Sequence, residues 1–177
     1  MLAYSGRTAL AIVDVKLNQL IQAALPKFQA AQSQTIMFDL QLAPELPLIR
    51  GDPVALSQIC DNLIQNAVEA MGVSQGIVTI ATAVVACSDA DLRQSYCQTV
   101  PKAGRFVQLT VSDTGQGLNA TAKAHLFEPF FSTRFPGRGL GLAVVHGFVS
   151  AHKGAIFVQS AEKGGASIRV LFPCDAA

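Results

Sequence analysis

The stretch DPVALSQICDNLIQNAVEAM, residues 52–71, predicts the helix around which the rest of the chain is arranged. Asp52 is a suitable N-cap, Pro53 suits the first helical position and Gly72 ends the pattern. Steps of three and four residues give this helix an apolar stripe and a polar ridge beside it. The apolar stripe comprises Leu56, Ile59, Leu63, Ala67 and Ala70, and the polar ridge comprises Gln58, Asn62, Asn66 and Glu69. An apolar helix face beside a polar ridge is what the wall of a binding pocket requires.

The polar ridge offers ligands for a divalent cation. Asn62 and Asn66 carry neutral amide oxygens, which suit Mg²⁺ because this ion keeps several waters and takes its other ligands from phosphates. Glu69 carries the only formal charge of the ridge and could hold a metal-bound water or act as a base. A solvated helix face is the alternative interpretation of the same residues.

A second block, Asp113-Thr-Gly-Gln-Gly117, follows a strand predicted over 105–112. Alternation along that strand brings Asp113 to the rim of the sheet, where its carboxylate can accept a hydrogen bond from an exocyclic amine such as adenine N6. Gly115 and Gly117 would let the backbone approach the base, because neither has a Cβ. An ordinary Asp-x-Gly turn is the alternative.

A third block, Gly137-Arg-Gly-Leu-Gly141, opens a helix predicted over 140–152. Backbone N–H groups at such a helix N-terminus suit phosphate oxygens. The sequence holds no GxxxxGK[ST], so a P-loop is excluded. Arg134 and Arg138 are the cations best placed for a γ-phosphate, and solvated loop charges are an equally good interpretation of both.

The segment between these blocks, residues 118–137, has no regular period and predicts a lid with one helical turn at most. Phe127, Phe130 and Phe131 are costly to expose, so we expect them to pin this lid to the domain.

The remaining elements follow from periodicity and from turn residues. Residues 87–104 are polar and predict a surface excursion, and a Gly164-Gly165 turn joins the last two strands. Further strands are predicted over 8–15, 35–42, 76–85, 155–160 and 166–172, and a further helix over 17–31.

Composition narrows the function. The chain has 177 residues, 50% of them hydrophobic and 14% charged, which suits one domain with a packed core. A net charge of +1 gives no electrostatic case for binding nucleic acid. No apolar run is long enough to cross a membrane. The four cysteines lack CxxC spacing, which is typical of reduced thiols in a cytoplasmic domain.

Together with Phe127-Glu-Pro-Phe-Phe131, these blocks resemble, in order and spacing, the four motif boxes of the catalytic ATP-binding domain of two-component sensor histidine kinases. The resemblance covers about residues 14–173. It implies the Bergerat-type α/β sandwich shared with gyrase B and MutL, an α+β fold with a mixed sheet of about five strands and three helices on one face. It also implies a domain over 14–177 with its ATP lid at about 118–138, preceded over 1–13 by a linker and first strand.

The resemblance assigns roles to residues. Asn66 would ligate Mg²⁺, Asn66, Glu69 and Arg134 would be catalytic, and Asp113 would bind adenine. Ser167 would help hold adenine through a water. The implied ATP-binding residues are Asn62, Asn66, Asp113, Gly115, Gly117, Leu118, Phe130, Arg138, Gly139, Leu140, Gly141, Leu142 and Ser167.

The chain departs from a complete kinase of this family. The phosphoacceptor is a His followed by an acidic residue on a separate dimerisation helix, and none of His125, His146 and His152 has that context. Residues 1–6 resemble the end of the dimerisation segment. Position 62 is Asn, where the gyrase and MutL relatives place a water-activating Glu. The resemblance therefore implies transfer of the ATP γ-phosphate to a His on another domain, for relay to a response regulator.

Two other classes remain open. One is a degenerate module that binds nucleotide or a partner without transferring phosphate, and the other is a serine kinase of the anti-sigma type. The implied partners are ATP, the dimerisation domain and a receiver domain, with a monomeric isolated domain and a homodimeric full-length protein. A full-length protein that is tethered to a membrane and one that is not both fit a cytoplasmic domain of this kind.

Overall fold

The structure is a computed structural model that describes residues 9–31, 35–131, 141–160 and 164–174. The described residues form seven strands, two short helices and three longer helices. The strands are β1 (Val13–Val15), β2 (Ile36–Gln41), β3 (Ile49–Gly51), β4 (Gly76–Cys87), β5 (Gly104–Asp113), β6 (Ala155–Ser160) and β7 (Ala166–Pro173). The helices are α1 (Leu17–Ala31), α2 (Pro53–Met71), α3 (Asp89–Leu92), α4 (Ala120–His125) and α5 (Gly141–Ala151).

Five strands form one mixed sheet in the order β2-β4-β5-β7-β6. β2 runs parallel to β4, and the other neighbours are antiparallel. Apolar residues of α1, α2 and α5 share one core with the inner face of this sheet. The predicted α+β sandwich, with a five-stranded mixed sheet and three longer helices on one face, is confirmed.

Helix α2 begins and ends as its sequence predicts. The Asp52 carboxylate accepts hydrogen bonds from the N–H groups of Val54 and Ala55, and Gly72 ends the helix at a φ of 59°. The buried face is wider than the predicted stripe, because Cys60, Ile64 and Val68 are also buried. Ala70 was predicted to belong to the core-facing stripe, and it is only half-buried.

The C-terminal end of α5 is fastened to the N-terminus of α2 through the buried side chain of His152. The backbone N–H of Asp52 donates to His152 Nε2 at 3.0 Å, and the Nδ1–H donates to the Phe148 carbonyl at 2.6 Å. Both ring nitrogens are therefore used in the neutral imidazole. This connection fixes one end of α5 against α2, on which the candidate site lies.

The structure differs from the sequence prediction at two places near the N-terminus. The strand predicted over 8–15 is shortened to β1, and residues 1–8 lie outside the described part. β3 was not predicted, because three residues after a proline-containing connection carry no periodicity. It forms through its antiparallel pairing with β1, in which Val13 faces Gly51 and Val15 faces Ile49.

The surface excursion predicted over 87–104 is only partly a surface feature. We call residues 88–103 the strap. It packs at Leu92 on the outer face of the sheet, the face without the long helices, and reaches the edge strand β6 at Ser95 and Tyr96. Leu92 of α3 is fully buried in a second apolar cluster with Phe106, Phe157 and Leu171. The sequence pattern misses this packing because one leucine in a polar segment has no periodicity.

The sequence predictions about membrane-spanning helices and about the cysteines can be compared with the described residues. No helix in the described ranges is long and apolar enough to cross a membrane. All four cysteines are free thiols, and burial raises the pKa of Cys60 to about 12. A thiol with such a raised pKa stays protonated and unreactive at neutral pH, which agrees with the reduced thiols that the sequence predicts.

Candidate functional site

Asp113 is the buried acid of the candidate site. Val107, Leu109 and Val111 point into the core from β5, and the same alternation carries Asp113 to the helix side of the sheet at the end of the strand. Its exposed fraction is only 6%, and its Oδ1 accepts a hydrogen bond from the Gly115 N–H at 2.9 Å. The sequence predicts this carboxylate at the rim of the sheet, and the structure adds that it is buried there on the helix side.

The loop after Asp113 touches the last turn of α2 directly. A Cβ at Gly115 would lie 2.2 Å from the Ala70 carbonyl oxygen, and a Cβ at Gly165 would lie 1.9 Å from the Asp113 carbonyl oxygen. Gly117 has a φ of 74° and faces Gly165. Glycine at 115 and 117 therefore serves backbone-to-backbone packing within the chain, and this packing sets Asp113 beside the polar ridge of α2.

The polar ridge of α2 presents two amides that bind no other side chain or backbone group of the described residues. Asn62 and Asn66 are half-buried, and neither side chain has a hydrogen-bond partner among the described residues. Glu69 accepts a hydrogen bond from Gln65 Nε2 at 2.8 Å, and Gln58 is exposed. The ridge is thus not a uniformly solvated face, because its middle residues are partly covered by the neighbouring elements.

The first residue of α5 lies against this ridge. A Cβ at Gly141 would lie 3.5 Å from Asn62 Oδ1. Leu142 turns its side chain into the core, with 9% exposed, so its backbone rather than its side chain would reach a ligand. The N-terminal end of α5 and the amides of α2 therefore line the same space.

The apolar residues of the predicted lid differ in how they contact the rest of the domain. Leu118 and Phe127 pack on the main core, and the Phe127 ring lies 5.1 Å from the Tyr96 ring and 5.7 Å from the His146 ring. The centres of the Phe131 and His125 rings are 5.5 Å apart. Phe130 was expected to pin the lid, and it does not, because it is 68% exposed at a φ of 65°.

Ser167 does not join the site that was expected for it. Its Oγ accepts a hydrogen bond from Ser112 Oγ at 2.8 Å, and Ser112 is the neighbour of Asp113 along β5. Adjacent residues of a strand point to opposite faces, so Ser167 lies on the outer face and Asp113 on the helix side. Ala166 is the β7 residue whose side chain shares the face of Asp113.

Several predicted residues lie outside the described part of the chain. They are Arg134, Gly137, Arg138, Gly139 and Leu140. Among the residues that are described, no group of three or more His, Cys, Asp and Glu side chains could hold a metal ion. An amide-based site on α2 is therefore the metal-binding candidate that the described residues offer.

Thr114 holds the end of β5 against β4 and α2, a role that the sequence interpretation missed. Its Oγ1 accepts a hydrogen bond from the Ile77 N–H at 3.0 Å and donates to Met71 Sδ at 3.8 Å. These contacts join the end of β5 to the start of β4 and to the last residue of α2. A threonine within an Asp-x-Gly turn carries no special signal, so only the three-dimensional contacts reveal this role.

Comparisons with known proteins identify the family. Residues 51–176 match the family described as histidine kinase-, DNA gyrase B-, and HSP90-like ATPase, and the chain belongs to this family. It is 34% identical over 167 residues to the sensor histidine kinase ZraS of Escherichia coli strain K12, covering 94% of this chain and 32% of that protein. It is 31% identical over 143 residues to the sensor protein FixL of Bradyrhizobium diazoefficiens, covering 81% of this chain and 25% of that protein. The chain thus spans about a third or less of these relatives.

Solved structures agree on the fold. The catalytic domain of histidine kinase ThkA matches with a TM-score of 0.73 at 24% identity, covering 93% of this chain and 97% of that domain. The mycobacterial sensor histidine kinase MprB matches with a TM-score of 0.72 at 24% identity, covering 94% of this chain and 99% of that one. The sandwich is therefore that of histidine kinase catalytic domains.

Proposed function

We propose that this chain is the catalytic part of a sensor histidine kinase, which binds ATP and transfers its γ-phosphate to a histidine on a separate dimerisation domain. The observation that carries the proposal is the convergence of three elements on one space. The amides of Asn62 and Asn66, the N-terminal end of α5 at Gly141 and the buried carboxylate of Asp113 border this space on the helix side of the sheet.

The adenine end of the nucleotide is assigned to Asp113. The Asp113 carboxylate is the kind of acceptor that the exocyclic amine of adenine requires, and the bond from the Gly115 N–H orients it. Burial strengthens such a bond, because competing water is excluded. The close packing of Gly115 on Ala70 fixes the carboxylate before the nucleotide arrives, which reduces the entropic cost of binding.

The phosphate end is assigned to α5 and α2. N–H groups at the start of α5 favour anions, and Gly141 brings them within reach of the α2 ridge. The amides of Asn62 and Asn66, which have no partner among the described residues, suit Mg²⁺, with Asn66 as its protein ligand. When bound, the ion would offset the negative charge of the phosphate oxygens. Glu69 would hold a metal-bound water or act as a base, and Arg134 and Arg138 would contact the γ-phosphate.

The transfer itself requires positioning more than covalent chemistry by this chain. An imidazole nitrogen of the acceptor histidine forms a bond to the γ-phosphorus, the bond to the β–γ bridging oxygen breaks, and ADP leaves with that electron pair. The imidazole gives its proton to solvent or to a nearby base. His152 is unsuited as acceptor because both its nitrogens are engaged. Relay to a response regulator, a homodimeric full-length kinase and a cytoplasmic location belong to the same proposal.

Calorimetric titration with ATP, in magnesium and in EDTA, tests the metal assignment. Asn66→Ala should remove most of the gain in affinity that magnesium gives the parent chain. Gln58→Ala, an exposed substitution on the same helix, should keep that gain. An unchanged gain in Asn66→Ala would refute Asn66 as the metal ligand.

Mixing the chain with a dimerisation domain from a homologous sensor kinase and γ-labelled ATP tests the transfer. Acid-labile label should appear on the added domain and not on the chain alone. Label on the chain alone would contradict the division of roles. Nucleotide binding without label on any of several such domains would identify a binding module instead.

A further inference from the structure

A cleft of about 350 Å³ opens between the strap and the edge strand β6, away from the nucleotide site. Its walls are strap residues 94–96, β6 residues 157–159 and Arg169 of β7. The strap is fixed here by two hydrogen bonds, from the Tyr96 N–H to the Ile156 carbonyl at 2.9 Å and from the Ile156 N–H to Ser95 Oγ at 3.0 Å. The rim of the cleft is therefore a built feature of the fold.

Arg169 supplies an uncommitted positive charge to this cleft. It faces Phe157 across the strand pair, and its guanidinium carbon lies 4.6 Å from the centre of the Phe157 ring. Among the described residues no carboxylate lies within ion-pair distance of Arg169 and no acceptor bonds to it. The stack holds a planar fork of N–H donors in place, which is the geometry that carboxylates match.

Asp91 is the carboxylate whose charge attracts Arg169, but the two side chains do not form an ion pair in the described structure. The Ser88 hydroxyl and backbone N–H bind Asp91 Oδ2 at 2.7 and 2.9 Å. These bonds, followed by the attraction of Arg169, hold the pKa of Asp91 below its usual range. Arg169 thus keeps its N–H donors for another acceptor.

The edge of β6 offers backbone groups in the same cleft. The N–H and C=O of Ile156 point away from β7, because both bind the strap. A strand repeats every two residues, so the N–H and C=O of Val158 point to the same open side. In the described part of the chain no strand pairs with this side of β6. The strap therefore covers the edge at Ile156 and leaves it open at Val158.

We propose that this cleft docks an extended acidic segment of a partner polypeptide, which pairs with β6 at Val158 and places one carboxylate on Arg169. The open backbone groups give such a segment its direction, as in other cases of strand addition. Arg169 selects for an acidic side chain at one position. The cleft lies on the opposite edge from β2 and uses no residue assigned to nucleotide binding, so the inference stands independently of the proposed function.

Selection from a library of displayed random octapeptides tests the proposal. The baits are the whole chain, Arg169→Gln, and Arg105→Gln as a matched loss of charge at an exposed arginine elsewhere. The parent and Arg105→Gln should enrich peptides with Asp or Glu at a fixed position, and Arg169→Gln should not. Absence of enrichment on the parent, or equal enrichment on Arg169→Gln, would overturn the proposal.

A second measurement does not depend on the folding of the variant. The best selected peptide should shift the amide resonance of Val158 in the parent chain, and replacing its acidic residue by the matching amide should weaken binding about tenfold. Peptide binding that leaves Val158 unshifted would overturn strand addition. Acetate that occupies the cleft at the same concentration as the peptide would overturn the polypeptide as ligand.

Discussion

Gly115 shows how a single residue connects the two halves of the proposed nucleotide site. A Cβ at this position would lie 2.2 Å from the Ala70 carbonyl oxygen and 3.0 Å from Asp113 Oδ1. The loop can therefore lie directly on the last turn of α2, and its N–H reaches Asp113 Oδ1. A larger residue would push the loop away from the helix and would move the carboxylate with it.

Gly115→Ala should lower the free energy of unfolding by about 1–3 kcal/mol, because the added methyl group overpacks a backbone contact. ATP affinity should fall in parallel, since Asp113 moves with the loop. Urea denaturation and a nucleotide titration measure the two effects. Gly104→Ala is the control, because a Cβ there meets nothing within 4 Å, and its stability should stay within about 0.5 kcal/mol of the parent. Equal stabilities of the two variants would contradict this account.

At the residue scale, the sequence predicted the positions of Asp113, Asn62 and Gly141 because each belongs to a helix or strand with a clear period. Ser167 was assigned to the wrong face, because facing in a strand changes with every residue and depends on pairing with β5. For Gly115 the structure adds a reason for glycine that the sequence prediction did not include. The sequence shows that a Cβ is absent, and only the structure shows that the Ala70 carbonyl occupies its place.

At the scale of elements, Asp52 joins three parts of the chain. Its carboxylate caps α2 and accepts a hydrogen bond from the Ala11 N–H at 2.9 Å, next to β1. The bond from Ala11, and then the bond from Ala55, hold the pKa of Asp52 below its usual value. The carboxylate therefore stabilises the fold when it is ionised.

The stabilisation from Asp52 should be present above the pKa that the group has in the unfolded chain. It should be lost on acidification, as the pH falls below the ordinary aspartate pKa of about 4 and through the lower folded pKa. Thermal unfolding of the parent and of Asp52→Asn should therefore differ most at neutral pH and converge in acid. A difference that is constant over this range would show that the charge of Asp52 does not contribute.

Two glycines near α5 make a matched pair. Gly147 is exposed within the helix and a Cβ there meets nothing within 4 Å, whereas a Cβ at Gly154 would lie 2.4 Å from the Leu171 carbonyl oxygen. Gly147→Ala should raise the free energy of unfolding by about 0.5–1 kcal/mol through helix propensity. Gly154→Ala should lower it. Chemical denaturation of both variants tests this, and the same sign for both would contradict the packing.

The long elements could be predicted, and the short ones could not. The bounds predicted for α1 are those observed, and α2 begins and ends at its predicted cap residues, because many residues contribute to each signal. β3 spans three residues and forms through its pairing with β1, which the local sequence does not predict. α3 has a local capping box formed by Ser88 and Asp91, but its four residues are too few to show a helical period.

At the scale of the whole molecule, one core joins the three long helices to the sheet, and the strap closes part of the other face. Cys60, Cys97 and Cys174 are buried, while Cys87 is only partly buried at the end of β4. Burial, and then Asp91, raise the pKa of the Cys87 thiol. The rate at which a reagent modifies the buried thiols therefore measures how often the whole fold opens.

A disulfide reagent should modify Cys87 alone in the native chain, at a rate that rises with pH, and all 4 thiols after unfolding. The remaining three should react only as fast as the fold opens. Mass spectrometry of the modified peptides identifies the sites. Modification of Cys60 at the rate of Cys87 would show that the core is not closed around α2.

The central claim is that a buried carboxylate on the helix side of the sheet binds the adenine of ATP. Calorimetric titration of ATP into the parent, Asp113→Asn and Ser167→Ala tests it most directly. Asp113→Asn keeps an acceptor for the Gly115 N–H, yet turns a donor toward the adenine amine, so affinity should fall about tenfold or more. Ser167→Ala alters only the outer face and should bind ATP like the parent. Undiminished binding by Asp113→Asn, or an equal loss in Ser167→Ala, would contradict the account.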